Sequence, residues 1–246
     1  MKHQSSIEVA DVFEQVLSEG KLRASKLQWK VVNAITKCRT TALGGHLYQC
    51  TDCGNCEPRY NSCRNRHCPK CQGADINKWL QARAGELLPV PYFHTVFTVP
   101  HQFNILFLQN KSEMYKILFK AVAETLKTAA QSRYGGQIGF FGVLHSWGQK
   151  MEFHPHIHCV IPGVILKPNG EIIQSKDNYF LPDRILNKLF RAIFLKHLER
   201  VYKKGKLVLH NTSTQLKNYS DFQKLKNSAV KKDWIVYSKK PFEYLS

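Results

Sequence analysis

Apolar side chains near the start of the chain recur three and four positions apart, which is the period of an amphipathic helix. The pattern is interrupted at residues 18–20, so we expect two helices before residue 38 and a third over residues 79–88. Between them, residues 38–71 hold few large aliphatic side chains, and so short a segment needs another stabilising element. The periodic positions are Val9, Val12, Phe13, Val16, Leu27, Val31 and Ile35.

From about residue 90 onward, strand-like and helix-like patterns alternate. Residues 92–99 alternate in polarity and are rich in β-branched and aromatic side chains, which predicts a strand. Further strands are expected at "IGFFGVLHSW", "HPHIHCVI" and "WIVYS", with a turn at "PNG". Helices are expected over residues 111–134, 182–204 and 220–231. The pattern predicts an α+β fold of two domains, residues 1–90 and 91–246, with a sheet in the second.

One predicted strand carries a histidine at every second position. In "EFHPHIHCVIPG" the side chains of His154, His156 and His158 would project from one face. The apolar side chains at positions 157, 159 and 161 would project from the other, because successive side chains of a strand alternate. Three imidazoles in register favour a metal site over a strand that is merely rich in histidine.

Seven of the eight cysteines fall between Cys38 and Cys71. Such crowding is more typical of metal binding than of disulfides in a chain without secretion signals. Two Cys-x-x-Cys knuckles separated by 14 residues predict a four-cysteine zinc ribbon, because each knuckle turns two thiolates to one side. The ribbon ligands would be Cys50, Cys53, Cys68 and Cys71. A second zinc could use Cys38, His46, Cys63 and His67, with Cys56 nearby, or these residues could pack beside the first site.

The charge of the chain points to a polyanionic partner. It holds 36 Lys and Arg against 18 Asp and Glu, a net charge of +18 and a pI near 9.6. Nucleic acid is the commonest partner of so basic a protein. Residues 200–240 contain eleven basic and two acidic residues with aromatics between them, a composition that suits a DNA backbone with stacked bases.

Two function classes are disfavoured by the residues. No stretch approaches the roughly 18 apolar residues of a membrane helix, and the first residues lack the apolar segment of a signal peptide. We therefore expect a cytoplasmic, nucleoid-associated protein without a membrane partner. A zinc deaminase needs His-x-Glu ahead of Pro-Cys-x-x-Cys, whereas the one His-x-Glu here is His197–Glu199, downstream of the cysteines.

Three long segments carry a resemblance to a known family. "YNSCRNRHCPKCQ", "VPYFHTVFTVPHQFN" and "LHSWGQKMEFHPHIHCVIPG" resemble the rolling-circle insertion-sequence transposases, in which an N-terminal zinc-binding domain precedes an HUH endonuclease domain. The resemblance covers nearly the whole chain from about residue 10. It implies an HUH-endonuclease-like antiparallel sheet with flanking helices. It also implies that His156 and His158 hold a catalytic magnesium or manganese ion, for which His94, His145 and Gln149 are candidates as third ligand.

The resemblance further implies a tyrosine nucleophile. Family members cut single-stranded DNA during transposition, leaving a 5′-phosphotyrosine and a free 3′-hydroxyl. A phenol with a pKa near 10 is a weak nucleophile at neutral pH, so a cation is needed to polarise the phosphate. The ending "KKPFEYLS" supplies Tyr244 as the first of the two family tyrosines and lacks the second, so we expect a C-terminally shortened copy.

Three functions therefore remain open at this point. The first is an HUH transposase that nicks and rejoins single-stranded DNA. The second is an inactive, shortened copy that acts only as a zinc-ribbon DNA-binding protein. The third is a zinc hydrolase that uses the histidine strand and a water nucleophile.

Overall fold

The computed structural model describes residues 7–175, 181–231, 234–239 and 241. Contacts divide the chain into two compact units, Met1–Leu87 and Leu88–Ser246. Helices occur in both units and an antiparallel sheet in the second, which confirms the predicted α+β class. Among the described helices, none is both long and apolar enough to cross a bilayer.

Among its described residues, the N-terminal unit contains three α-helices, a short 3-10 helix (Thr41–Leu43) and one hairpin. Both expected helices at its start are present, and the second begins at a capping box in which Gln28 N–H donates to Ser25 Oγ and Ser25 N–H donates to Gln28 Oε1. The third helix begins earlier than expected, because Pro69 suits the first helical turn. The hairpin was not predicted, since all its residues are exposed and show no apolar alternation. The elements are α1 (Val9–Ser18), α2 (Lys26–Thr36), β1 (Gly45–Gln49), β2 (Cys56–Tyr60) and α3 (Pro69–Ala84).

The second unit contains every strand and helix that the pattern predicted there. The short helix Asn104–Gln109 was missed because six residues do not establish a period. The long helix that follows it ends where Gly135 takes a left-handed conformation with φ of 67°. The elements are β3 (Tyr92–Thr98), α4 (Asn104–Gln109), α5 (Lys111–Tyr134), β4 (Phe141–Trp147), β5 (Phe153–Pro162), β6 (Val164–Leu166), β7 (Ile172–Gln174), α6 (Asp183–Lys203), α7 (Tyr219–Val230) and β8 (Ile235–Ser238).

Four strands form the main sheet in the order β4-β5-β3-β8, and each neighbouring pair is antiparallel. The histidine strand β5 is therefore central. His156 lies opposite His145 on β4 and Thr98 on β3, and His158 lies opposite Val143 and Val96. Because paired residues share a face, the register aligns these side chains in rows across the sheet.

One face of the sheet builds the core, and the other carries the histidines. The apolar residues of β5 at positions 157, 159 and 161 are buried, while His154, His156 and His158 are partly exposed. This confirms the predicted division of the strand into two faces. On the core side Phe97 of β3 meets Phe190 of α6 edge-on, with ring centroids 5.2 Å apart. The core thus fixes β5 from behind and leaves the imidazoles in front accessible.

Candidate functional site

Three imidazoles come together on the accessible face of the sheet. His145 of β4 and His156 and His158 of β5 each offer a ring nitrogen, and these nitrogens all lie within 4.8 Å of one another. The ring centroid of His158 is 4.3 Å from that of His145 and 4.9 Å from that of His156. Three imidazoles in this arrangement suit a divalent cation and leave further coordination positions for a substrate.

The hydrogen bonds of the two β5 histidines leave the same nitrogen available on each ring. His156 Nδ1 lies 2.6 Å from the backbone oxygen of His154, which can only accept, so Nδ1 carries the proton. His158 Nδ1 lies 2.8 Å from His94 Nε2. Both rings thus have Nδ1 engaged and Nε2 directed elsewhere, the usual pattern of metal-bound histidine.

His158 Nε2 is the clearest sign that the group fits a cation. Among the described residues it is a buried side-chain nitrogen without a hydrogen-bond partner. A buried polar atom without a partner is costly, and a metal ion would satisfy it. Burial, followed by the nearby His145 and His156 rings, lowers the pKa of His158 to about 4, so that the imidazole is neutral at pH 7 and its lone pair can coordinate.

The other predicted candidates lie around this group in different roles. His94 lies next to His158, and the pKa of His94 is lowered by burial and by Lys239. His154 contributes its carbonyl to His156, and its ring lies outside the three-nitrogen group. Gln149 lies on the turn between β4 and β5 and lines the cleft in front of the histidines. Of the three candidates for third ligand, His145 is the one that the fold places with the pair.

The cleft in front of the histidines has a volume of about 680 Å³. Its floor is the sheet, and its rim is the β4–β5 turn, which is closed by Gly148 N–H donating to Glu152 O over 2.9 Å and Met151 N–H donating to Gly148 O over 3.0 Å. A Cβ at Gly148 would lie 2.1 Å from Glu152 Oε1, so glycine leaves room for that carboxylate. The lining residues include Val96, Thr98, Trp147, Gln149, Lys150 and Glu152.

In the N-terminal unit four thiols form a second candidate metal centre. Cys38, Cys63, Cys68 and Cys71 place their sulfurs within 4.8 Å of one another. Cys71 Sγ lies 3.5 Å from Cys38 Sγ and 3.6 Å from Cys63 Sγ. A tetrahedral zinc with Zn–S bonds of about 2.3 Å requires sulfurs about 3.8 Å apart, so the spacing fits zinc.

The pKa values of two of these thiols suit the binding of a zinc ion. Burial raises the pKa of Cys63 to about 12. Burial opposes ionisation of Cys71 as well, yet hydrogen bonds from Cys38 and Cys63 bring its pKa down to about 7. A thiolate stabilised among thiols is the form that binds zinc.

This four-thiol group differs from the predicted ribbon. Cys68 and Cys71 are shared, but Cys38 and Cys63 occupy the places that the knuckle spacing assigned to Cys50 and Cys53. The reason is the path of the chain: Cys38 directly follows α2, and the N–H of Cys63 donates to its sulfur over 3.4 Å. The residues left outside the described group are Cys50, Cys53 and Cys56, all exposed at the end of the β1–β2 hairpin, and the exposed His46 and His67.

The turn that holds Cys50 and Cys53 at the end of the hairpin still has a backbone geometry that stabilises a thiolate. The backbone N–H groups of Cys53 and Asp52 lower the pKa of the exposed Cys50 thiol. In the described residues, this pair belongs to no group of three or more metal-ligating side chains. Of the residues predicted for a second site, Cys38 and Cys63 belong to the buried four-thiol group in the described part of the chain, while His46 and His67 lie outside it.

The basic C-terminal segment divides between core and surface. Phe222 and Trp234 are buried, so they are not available to stack on bases, whereas Tyr219 and Tyr237 are about half exposed. Lys226 Nζ and Lys203 Nζ lie 2.5 and 3.0 Å from the Glu199 carboxylate. The predicted nucleophile Tyr244 lies outside the described residues.

Comparison with known proteins shows which proteins the chain is similar to. Residues 9–99 match the family "Transposase zinc-binding domain", and residues 139–245 match the family "Putative transposase". The chain is 44% identical over 245 residues to "Putative transposase y4qJ" of Sinorhizobium fredii, covering 97% of this chain and 62% of that protein. It is 33% identical over 157 residues to "Transposase for insertion sequence element IS801" of Pseudomonas savastanoi pv. phaseolicola, covering 63% of this chain and 37% of that protein.

The chain thus spans less than two thirds of the length of these relatives. Among solved structures, a conjugative relaxase TrwC in complex with OriT DNA matches 43% of each chain at 21% identity, with a TM-score of 0.34. An overlap of this size does not assign a function.

Proposed function

We propose that the chain belongs to the insertion-sequence transposases of the rolling-circle class and that its second unit cuts and rejoins single-stranded DNA during transposition. The observation that carries this proposal is the three-imidazole group on the accessible sheet face, with the buried Nε2 of His158 among its nitrogens. A cleft stands in front of it, and the net charge of +18 favours the approach of DNA.

His145, His156 and His158 would hold the catalytic cation, magnesium or manganese. When bound, it would polarise the scissile phosphate and neutralise charge that develops during attack. The chain's own residues prepare this centre: the His154 carbonyl and the His94 ring hold the Nδ1 atoms of the two β5 histidines. Both rings are thereby kept in the orientation that presents Nε2 to the cleft.

The proposed nucleophile is Tyr244. Its phenolic oxygen would form a bond to phosphorus, the bond to the 3′-oxygen would break, and that oxygen would leave as a 3′-hydroxyl after taking a proton. The strand would then be held as a 5′-phosphotyrosine, and attack by a 3′-hydroxyl would reverse the step. Lys239 N–H donates to His94 O over 2.9 Å, so the chain five residues before Tyr244 runs beside the centre. Five extended residues span up to about 17 Å, a length that would allow Tyr244 to reach the histidine group.

We assign the four-thiol group a structural zinc. Four cysteine ligands close the coordination sphere, so such a site stabilises a fold and has no open position for a substrate. The unit that contains it would contribute to DNA binding through its exposed basic side chains. This assignment separates the two metals, with zinc in the first unit and a catalytic cation in the second.

The experiment is a covalent-adduct assay. The protein is incubated with manganese and a single-stranded oligonucleotide of its own element end, and denaturing electrophoresis detects protein linked to DNA. We expect an adduct with the natural chain, none with Tyr244→Phe, and strong loss with His156→Ala or His158→Ala. His154→Ala is the matched control, because it removes a ring from the same strand and keeps the carbonyl that holds His156.

The outcomes separate the three functions that the sequence left open. Cleavage without an adduct would support a hydrolase that uses water. Salt-sensitive DNA binding without cleavage, insensitive to the histidine variants, would support a binding protein alone. An adduct that persists in Tyr244→Phe would show that another residue is the nucleophile.

A further inference from the structure

On β4, Trp147 is the exposed aromatic side chain nearest to the histidine centre, which consists of His145, His156 and His158. It is the last residue of the strand, and 51% of its surface is exposed. Its indole lies parallel to the His145 imidazole, with ring centroids 5.2 Å apart and an interplanar angle of 12°. One face of the indole is therefore held against a proposed metal ligand, while much of the ring remains open to solvent.

The strand geometry fixes this position. Residues 145 and 147 are two apart on β4 and so share the accessible face. The pairing of β4 with β5 shifts between them: His145 lies opposite His156, but Trp147 lies opposite Phe153. Such a bulge increases the local twist and redirects side chains. It occurs here at the rim of the cleft, which Trp147 lines together with Lys150 and Gln149.

Trp147 differs from the large buried aromatic rings of the same unit in its exposure to solvent. Burying a large aromatic ring is favourable, and the core has accepted Phe97, Phe190 and Trp234, which are at most 3% exposed. Trp147 instead stands beside the centre where a phosphate must lie if the proposed function is correct. The base of a nucleotide next to that phosphate is a flat aromatic surface of the size that an indole stacks on.

We propose that Trp147 is a stacking platform that binds an unpaired DNA base beside the scissile phosphate and so positions the strand in the cleft. The proposal rests on the proposed function, and it names the substrate more closely. In a duplex both faces of a base are covered by its neighbours, so a side-chain platform requires a base that is single-stranded or turned out of the stack. Lys150, on the same rim, supplies a cation for the backbone.

The platform acts on binding, so it can be measured without cleavage. The protein is kept free of added magnesium and manganese and titrated with single-stranded oligonucleotides of its own element end, each carrying 2-aminopurine at one position. Stacking on an indole quenches 2-aminopurine fluorescence. We expect quenching confined to one or two adjacent positions. We also expect Trp147→Ala to abolish that quenching and to weaken binding by about 5- to 150-fold, the range of a stacked base.

Three further variants test the aromatic requirement and the location. Trp147→Phe should keep most of the affinity, and Trp147→Leu, which still packs against His145, should lose it. Phe141→Ala is the matched control, because Phe141 is a similarly exposed aromatic on the same face of the same strand but at its far end. Its affinity and quenching profile should equal those of the natural chain.

The results distinguish this inference from the proposed function. If Trp147→Ala and Trp147→Leu both bind DNA with the affinity and the quenching of the natural chain, the platform is overturned, whether or not an adduct forms. If Trp147→Leu binds as tightly as Trp147→Phe, the side chain serves only to pack against His145, which also contradicts the proposal. Position-specific quenching that depends on Trp147, in a chain that never forms an adduct, would support the platform and refute cleavage through a phosphotyrosine.

Discussion

Replacing Cys38 or Cys63 by alanine should unfold the N-terminal unit, whereas the same replacement at Cys50 or Cys53 should leave it folded. The two pairs test the geometry against the motif spacing, since the buried group contains the first pair and the knuckle spacing chose the second. All four variants remove one thiol from the same short segment, so they serve as controls for one another.

The expected loss of stability is large because few other buried side chains stabilise this unit. Among its described residues, the buried apolar side chains are Ala10, Val32, Ile35 and the thiols Cys38 and Cys68. Structural zinc sites contribute about 10–16 kcal/mol at pH 7, and a domain is stable by about 5–15 kcal/mol in total. Loss of one of four ligands therefore removes an amount comparable to the whole stability. Substitution at an exposed, uninvolved thiol changes stability by about 0.5 kcal/mol or less.

The assay combines zinc content with thermal unfolding of the full chain. Atomic emission should detect a zinc ion in the natural chain and in the variants Cys50→Ala and Cys53→Ala. In all three proteins this ion should resist removal by a competing chelator. Cys38→Ala and Cys63→Ala should lose that ion and the unfolding transition of the N-terminal unit. Cys159→Ala, a buried thiol of the second unit, should retain the zinc. The reasoning is refuted if Cys50→Ala and Cys53→Ala lose the metal while Cys38→Ala and Cys63→Ala retain it.

Further predictions concern the second unit. His94→Ala should weaken manganese binding by about 10- to 100-fold in calorimetry, because the ring that orients His158 is lost, and unchanged affinity would exclude that role. Phe190→Ala should cost about 3–5 kcal/mol in urea denaturation, since the ring is fully buried; a cost below about 1 kcal/mol would contradict the core packing. Hydrogen bonds to the Glu199 carboxylate, of which the bond from Lys226 has the largest effect, lower its pKa from 4.5 to about 2. This carboxylate therefore stabilises the fold above pH 4.5 and loses its effect as the pH falls toward 2. Glu199→Gln should therefore be less stable than the natural chain at pH 7, with a difference that closes over that interval, and a difference independent of pH would refute the ion pair.

The histidine site was predictable in part because a strand has a fixed period. The alternation in "HPHIHCVI" alone assigns His156 and His158 to one face, and the structure bears out that division. The sequence could name His145 only as one of three candidates for the third position. Its place beside the pair depends on the antiparallel register of β4 with β5, which the local pattern does not encode.

The cysteines show the opposite relation between spacing and structure. Two Cys-x-x-Cys knuckles satisfy a local rule, and the rule selected Cys50 and Cys53. The fold instead joins Cys68 and Cys71 to Cys38 at the end of α2 and to Cys63 in the following loop. A signal for Cys38 was present, since it follows the last apolar position of a predicted helix, but its partner could be identified only from the path of the intervening chain.

Residue period and composition over short stretches were enough to predict most of the helices and strands, the two faces of the histidine strand, the thiol-rich metal segment and the basic character of the chain. The three-dimensional fold was needed to show which four thiols meet, which histidine joins the pair, and that His94 and the His154 carbonyl contact its ligands. Apart from the local contact between His154 and His156, these contacts join residues far apart in the chain. Their geometry follows from strand register and core packing, which arise when the whole domain folds.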